Sequence, residues 1–173
     1  MSEALQALYQ GDEERARELL GPDLELSVFE AAAFGRVERL RQILDEDQAQ
    51  AHALSDDGFT ALHLAIFGGQ EDSARLLLER GADPNVVSTS EIAKVPPLGT
   101  AAFVRSVALA SLLLDSGADP NGRGEGGFTA LHSAAQNEHG ELARLLLDRG
   151  ADPSLAADDG RRPADFGLRD LLS

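Results

Sequence analysis

The sequence predicts an all-α fold, a solenoid of stacked helix-turn-helix units joined by hairpin-like finger loops. Three observations predict it. The tetrapeptide GADP occurs at 81–84, 117–120 and 150–153, at spacings of 36 and 33 residues. GFTALH occurs at 58–63 and again at 127–132. LLL stands at 76–78, 112–114 and 145–147, always the same distance ahead of GADP. Three registers that agree over such a period mark short units that cannot bury an apolar face alone and must stack.

The units follow in chain order within one domain, 1–173, at approximately 2–23, 24–55, 56–88, 89–123 and 124–156, with a partial C-terminal cap at 157–173. In the first unit, ALQALYQGDEERARELL (4–20) breaks at Gly11 and offers Ala16, Leu19 and Leu20 as an apolar face. In the second, FEAAAFGRVERLRQIL (29–44) offers Leu40, Ile43 and Leu44. The third is the clearest. Asp57-Gly58 is a tight-turn pair, Thr60 can cap a helix starting at Ala61, and Leu62, Ala65 and Ile66 give that helix one apolar side. Gly68-Gly69 breaks it, and a second helix carries Ala74, Leu77 and Leu78 at helical spacing. Gly81 sits at the C-terminal cap position and Pro84 prevents continuation. The fifth unit repeats this design around Thr129, His132, Gly150 and Pro153.

The fourth unit departs from it. Counting back from Gly117, the stretch Pro96-Pro97-Leu98-Gly99 fills the slot of Thr60-Ala61-Leu62-His63, so VPPLGTAAF (95–103) is a helix start. Pro97 suits a first helical turn, but the capping hydroxyl and the imidazole are missing, and Arg105 replaces the break glycine. Three extra residues lengthen its finger within VVSTSEIAK (86–94). This unit is expected to be the weakest internal one, by about 1 kcal/mol for the missing cap alone.

Bulk properties bound the function. The chain has no cysteine, which excludes disulfides, thiol nucleophiles and cysteine-held metals. A formal net charge of −15 repels phosphate backbones, so nucleic acid and anionic membranes are poor partners. No run approaches the roughly 18 apolar residues of a membrane span. MSEALQALYQGDEER lacks the basic start and apolar core of a secretory signal, so a cytoplasmic location is expected.

The unit resembles the ankyrin repeat. DDGFTALHLAIFGGQEDSARLLLERGADPN (56–85) carries the family's G-x-T-x-L-H-x-A, LLL and G-A-D-x-N features in order, and GGFTALHSAAQNEHGELARLLLDRGADPS (126–154) carries most of them again. The resemblance implies a monomeric, non-enzymatic scaffold or regulatory module. Its partner would be another protein, bound on a concave face of first helices and on the fingers. It also implies that His63 and His132 are structural, together with Thr60, Thr129, Gly81, Gly117 and Gly150.

Candidate chemistry is thin. Neither histidine has a second ligand at the spacing of a metal-binding helix. The paired aspartates at 56–57 and 158–159 are adjacent, whereas a calcium loop spreads its ligands over about twelve residues. GRGEGG (122–127) follows no strand and lacks the Lys-Ser/Thr of a phosphate loop. No catalytic residue, cofactor or metal is expected. A small-ligand or metal-binding regulatory solenoid is the alternative reading, and an enzyme has the least support.

The aromatic residues are the positive signal. Tyr9, Phe34, Phe67 and Phe103 fall one per unit at the pair ahead of the break, and Phe59 and Phe128 follow the turn glycine. In the resembled family these slots are variable and solvent-facing. The expectation is therefore a docking stripe, with Asp56, Asp57 and Glu125 as an acidic border and Glu91 and Ile92 on the long finger. The competing expectation is that the rings pack on neighbouring units as core.

Overall fold

The computed structural model describes residues 2–20 and 26–172; the boundary placed between 23 and 24, and Ser173, lie outside the described residues. The described elements are helices, 3-10 turns and one isolated bridge between Leu54 and Thr60. They form two compact units. One runs to Asp83 and also holds Thr89–Ile92; the other holds Pro84–Ser88 and the described chain from Ala93 on.

The first unit contains α1 (Glu3–Tyr9), α2 (Glu13–Leu20), α3 (Val28–Ala33), α4 (Val37–Glu46), α5 (Ala61–Phe67) and α6 (Glu71–Glu79). First helices pack in series, α1 on α3 and α3 on α5, and second helices do the same, α4 on α6. Each first helix starts on a hydroxyl. Ser2 accepts from Leu5 N–H, Ser27 from Glu30 N–H, and Thr60 from His63 N–H. At Ser27 the Glu30 carboxylate reaches back to the cap N–H at 3.0 Å and the hydroxyl at 2.8 Å, closing a capping box. Burial alone would raise the Glu30 pKa, but hydrogen bonds from Ser2 and Ser27 outweigh it and hold the carboxyl below its usual range.

Such short helices are marginal alone, so packing must hold them. Leu40, Leu44, Leu62, Ile66 and Leu77 are fully buried. Each contributes about 1.5–3 kcal/mol by leaving water. Leu62, Ala65 and Ile66 all face the core as their spacing predicts. The chain turns between helices through a left-handed residue, Gly11, Gly35 and Gly69 at φ +77°, +66° and +69°.

The second unit contains α7 (Pro97–Phe103), α8 (Val107–Asp115), α9 (Ala130–Gln136), α10 (Gly140–Asp148) and the short α11 (Arg169–Leu172). Helix α7 packs on α9, α9 on the 3-10 turn Pro163–Asp165, and α8 on α10. The atypical start is visible in detail. Pro96 occupies the N-cap of α7 and makes no side-chain cap bond. A Cβ on Gly99 would lie 2.5 Å from Val95 Cγ2, so the valine closes the space that a side chain at 99 would need. Thr100 Oγ1 is buried without a hydrogen-bond partner. Helix α8 does have a cap, Ser106 accepting from Leu109 N–H at 3.2 Å. The left-handed turn residues here are Arg105 at φ +60° and Glu138 at +51°, neither of them glycine.

Candidate binding surface and structural residues

In the first unit the predicted aromatic residues converge. Tyr9 at the end of α1 meets Phe67 at the end of α5 edge-on, with ring centroids 5.3 Å apart, and tilts against Phe59 at 6.1 Å. These rings and Phe34 are half-buried and pack on a core cluster of Leu5, Leu8, Ala16, Ala33 and Leu64. The Tyr9 hydroxyl donates to Asp57 Oδ2 at 2.9 Å, while the Ser55 hydroxyl donates to Asp57 Oδ1 at 2.5 Å. Burial and the Asp57 carboxylate together push the Tyr9 phenol well above its ordinary pKa. Solvent exposure was expected for the pair ahead of the break. Ala33 departs from that and is buried, because its methyl packs on the cluster beneath Phe34.

The fingers meet through backbone. Thr89 N–H donates to Gly58 O at 2.9 Å. A Cβ on Gly58 would lie 2.6 Å from Ser90 N, so only glycine fits this approach. Glu91 and Ile92 follow this contact in sequence, and Asp56-Asp57 precede it. Asp56 and Glu91 are exposed, and Ile92 is 68% exposed.

In the second unit Phe103 projects from the end of α7 and is also 68% exposed. Phe128 differs. It packs on His132 with centroids 5.1 Å apart and on Phe166 at the same separation, and the Arg161 guanidinium lies 4.3 Å above the Phe166 ring. Glu125 opens a 3-10 turn in the finger, its N–H donating to Lys94 O at 2.7 Å. The predicted stripe is therefore not uniform: Tyr9, Phe34, Phe59, Phe67 and Phe128 are partly packed, and Phe103 is open.

The histidines sit inside helix starts. His63 Nδ1 lies 2.8 Å from Thr60 Oγ1 and accepts from Thr60 N–H at 3.4 Å. His132 Nδ1 accepts from Thr129 N–H at 3.2 Å, so its Nε2 carries the proton and donates to Arg161 O at 3.2 Å. Burial lowers the His132 pKa, and the Arg123 charge adds to this; its bond to the Arg161 carbonyl and the Asp159 charge oppose it. His139 accepts from Leu142 N–H at 3.3 Å and caps α10. Gly81, Gly117 and Gly150 follow the second helices at φ +91°, +91° and +92°, a conformation that penalises any side chain.

The asparagine of G-A-D-x-N, which its motif gave no role, builds a ladder. Asn85 donates from Nδ2 to Gly117 O at 3.0 Å and accepts at Oδ1 from Asp119 N–H at 2.7 Å. Asn121 repeats the pattern on Gly150 O and Asp152 N–H, at 3.1 and 2.8 Å. Its signal was present: asparagine follows GADP where another GADP comes, and Ser154 follows the last.

A cavity of about 160 Å³ in the first unit is lined by Leu8, Arg17, Leu20, Phe34, Arg36 and Gln70, among others. Small-molecule pockets usually exceed about 300 Å³. Among the described residues, no group of three or more His, Asp or Glu could hold a metal, and no helix is long and apolar enough to cross a membrane.

Comparison with known proteins fits this geometry. A family profile described as ankyrin repeats, in three copies, matches residues 4–88 and 90–157. The chain belongs to the ankyrin-repeat family. The crystal structure of the ankyrin repeat domain of Bcl-3, a member of the IkappaB protein family, superposes with a TM-score of 0.76 at 32% identity. That match covers 84% of this chain and 64% of the Bcl-3 chain. Ankyrin repeat and SAM domain-containing protein 6 of Rattus norvegicus is 34% identical over 120 residues, 69% of this chain and 12% of the rat protein. The B-cell lymphoma 3 protein homolog of Mus musculus is 40% identical over 79 residues, 46% of this chain and 17% of the mouse protein. The chain thus matches less than a fifth of either relative's length. Ankyrin-repeat folds are typically non-enzymatic binding modules and generally mediate protein–protein interaction.

Proposed function

We propose that this ankyrin-repeat chain is a scaffold or regulatory protein that acts as a monomer in the cytoplasm, holding a protein partner on its first helices and fingers. The single observation that carries this reading is Phe103. A phenylalanine 68% exposed at the end of a first helix offers apolar surface to solvent. Aromatic residues of this kind become hot spots when a partner excludes water around them. Ile92, equally exposed on the longest finger, supports the same reading, as do the acids Asp56, Asp57 and Glu91 in the first unit and Glu125 in the second. Tyr9, Phe34, Phe59, Phe67 and Phe128 then act as half-buried supports that present ring edges and faces. The net charge of −15 disfavours nucleic acid as the partner.

Affinity capture from the native cell lysate, with wild type beside Phe103→Ala, tests the proposal. A partner retained by wild type and lost by the variant is expected. Identical captured sets would refute the role of α7.

A further inference from the structure

The cavity in the first unit is built by several elements at once. Leu8 and Leu20 line it from α1 and α2, Ala33 and Phe34 from the end of α3, and Gln70 from the turn between α5 and α6. Its walls are packed. A Cβ on Gly68 would collide with Ala33 O, so the ends of α3 and α5 touch backbone to backbone. The Gln70 amide is held in place, its Nε2 donating to Gly68 O at 2.6 Å. Its Oε1 lies so close to Gly35 that a Cβ there would collide with it. Leu8, Leu20 and Ala33 are buried and Phe34 is half-buried.

The charged residues among those lining the cavity are Glu13, Arg17 and Arg36. Glu13 and Arg17 answer each other at 2.7 Å, one turn apart on α2. Among the described residues, the Arg36 guanidinium makes no ion pair and no side-chain hydrogen bond. One positive charge is therefore left over at an otherwise apolar and amide-lined hollow, in a chain whose net charge is −15.

Size and chemistry together define what fits. At about 160 Å³ the cavity is smaller than a drug-sized pocket, but an apolar protein cavity of about 150 Å³ holds benzene. A guanidinium forks onto a carboxylate through two parallel N–H···O bonds. A bare inorganic anion would satisfy Arg36 and leave the apolar walls unused.

We propose that this cavity binds one carboxylate carried on a compact apolar group, about the size of a benzene ring. The carboxylate seats on Arg36, and the apolar group lies against Leu8, Leu20 and Phe34. A free small monocarboxylic acid and the C-terminal residue of a protein chain both present this chemistry. The cavity belongs to the first unit and Phe103 to the second, so the site goes beyond the docking proposed above.

The probes are benzoate, its neutral twin benzamide, inorganic phosphate, and the tetrapeptide Gly-Ser-Gly-Phe with a free or an amidated C-terminus. Binding is read from amide shifts in two-dimensional NMR titrations of the whole chain. Benzoate is expected to bind saturably, at about millimolar concentration, with shifts concentrated in residues 8–20, 33–36 and 68–70. Benzamide and phosphate should bind about tenfold more weakly. Arg36→Gln should weaken benzoate about tenfold, and the control Arg75→Gln, on α6 away from the cavity lining, should leave it nearly unchanged. Arg36 is exposed, so its variant should fold, and circular dichroism melts check this. A free-carboxylate peptide that binds more tightly than both benzoate and its amidated twin supports the site with a protein terminus as its source. Benzoate binding more tightly than the peptide supports it with a free acid as the source. The proposal is overturned if benzoate leaves these residues unshifted, if benzamide or phosphate binds them equally well, or if Arg75→Gln weakens binding as much as Arg36→Gln. None of these results touches the Phe103-dependent capture of a partner, so the two readings fail separately.

Discussion

The Tyr9 hydroxyl donates to Asp57 Oδ2 across 2.9 Å and 48 residues of sequence, tying the end of the first helix to a finger tip two repeats on. Tyr9 is the chain's single tyrosine, so its ionisation can be followed alone by ultraviolet absorbance. Its folded pKa is raised, by burial first and by Asp57 second. The linked stability is complete below the unfolded value near 10 and is lost as pH rises above it. Tyrosinate absorbance is expected to appear only with unfolding, as judged by circular dichroism. Ionisation near pH 10 in the folded chain would show the bond to be broken in solution. Tyr9→Phe should cost about 1 kcal/mol in urea denaturation.

Phe67 and Phe103 occupy equivalent slots in their repeats but different environments. Phe67 packs edge-on against Tyr9, while Phe103 is open. Phe67→Ala should lower stability by about 1–3 kcal/mol, less than a fully buried phenylalanine. Phe103→Ala should change it by less than about 0.5 kcal/mol. Equal losses in denaturant titrations would place both rings in the core and remove the argument for docking at α7.

Acid should act through His132. Its folded pKa is lowered, chiefly by burial, so its contribution is present above the unfolded value of about 6.5 and fades as pH falls below it. Protonating Nδ1 would also break its bond from Thr129 N–H. Wild type should lose stability between about pH 6.5 and 5 by more than His132→Gln does, measured by thermal melts across pH. Parallel slopes would rule this out.

Arg105 holds φ at +60°, where a side chain costs about 1 kcal/mol or more and glycine costs little. Arg105→Gly should stabilise the chain by about 0.5–1 kcal/mol, despite the extra freedom of unfolded glycine. A shift in the denaturation midpoint at unchanged slope is the measurement.

Asn121 makes two bonds to the next GADP loop, at exposed positions where water competes. Asn121→Ala should cost about 1–2 kcal/mol and raise amide exchange at Asp152. Unchanged exchange there would mean the ladder does not hold the loop.

The legibility of this chain follows its local grammar. Thr60-Ala61-Leu62-His63 states a helix start within four residues, and the cap, the apolar side and the break after α5 could all be read from it. So could the arginine in the glycine slot at 105, once the register was counted. What the spacing left open depends on neighbours far along the chain. Phe59 and Phe67 become half-buried because Tyr9 reaches them, and Ala33 because the cluster beneath Phe34 covers it. Phe128 is covered by Phe166 from the terminal cap, a residue that no repeat position marks. The Val95 methyl that crowds Gly99 is likewise a contact that no spacing rule marks.

The asparagine after GADP has one more consequence. Asn85 and Asn121 each name the loop they bind, whereas the Ser154 side chain stays within its own loop, its N–H and hydroxyl donating to Asp152 Oδ1 at 2.8 and 2.7 Å. One letter thus works as a connector and its replacement as a blank end. A full repeat put in place of the partial cap would gain this loop-to-loop bond once Ser154 were exchanged for asparagine, which makes this position the natural joint for lengthening the array.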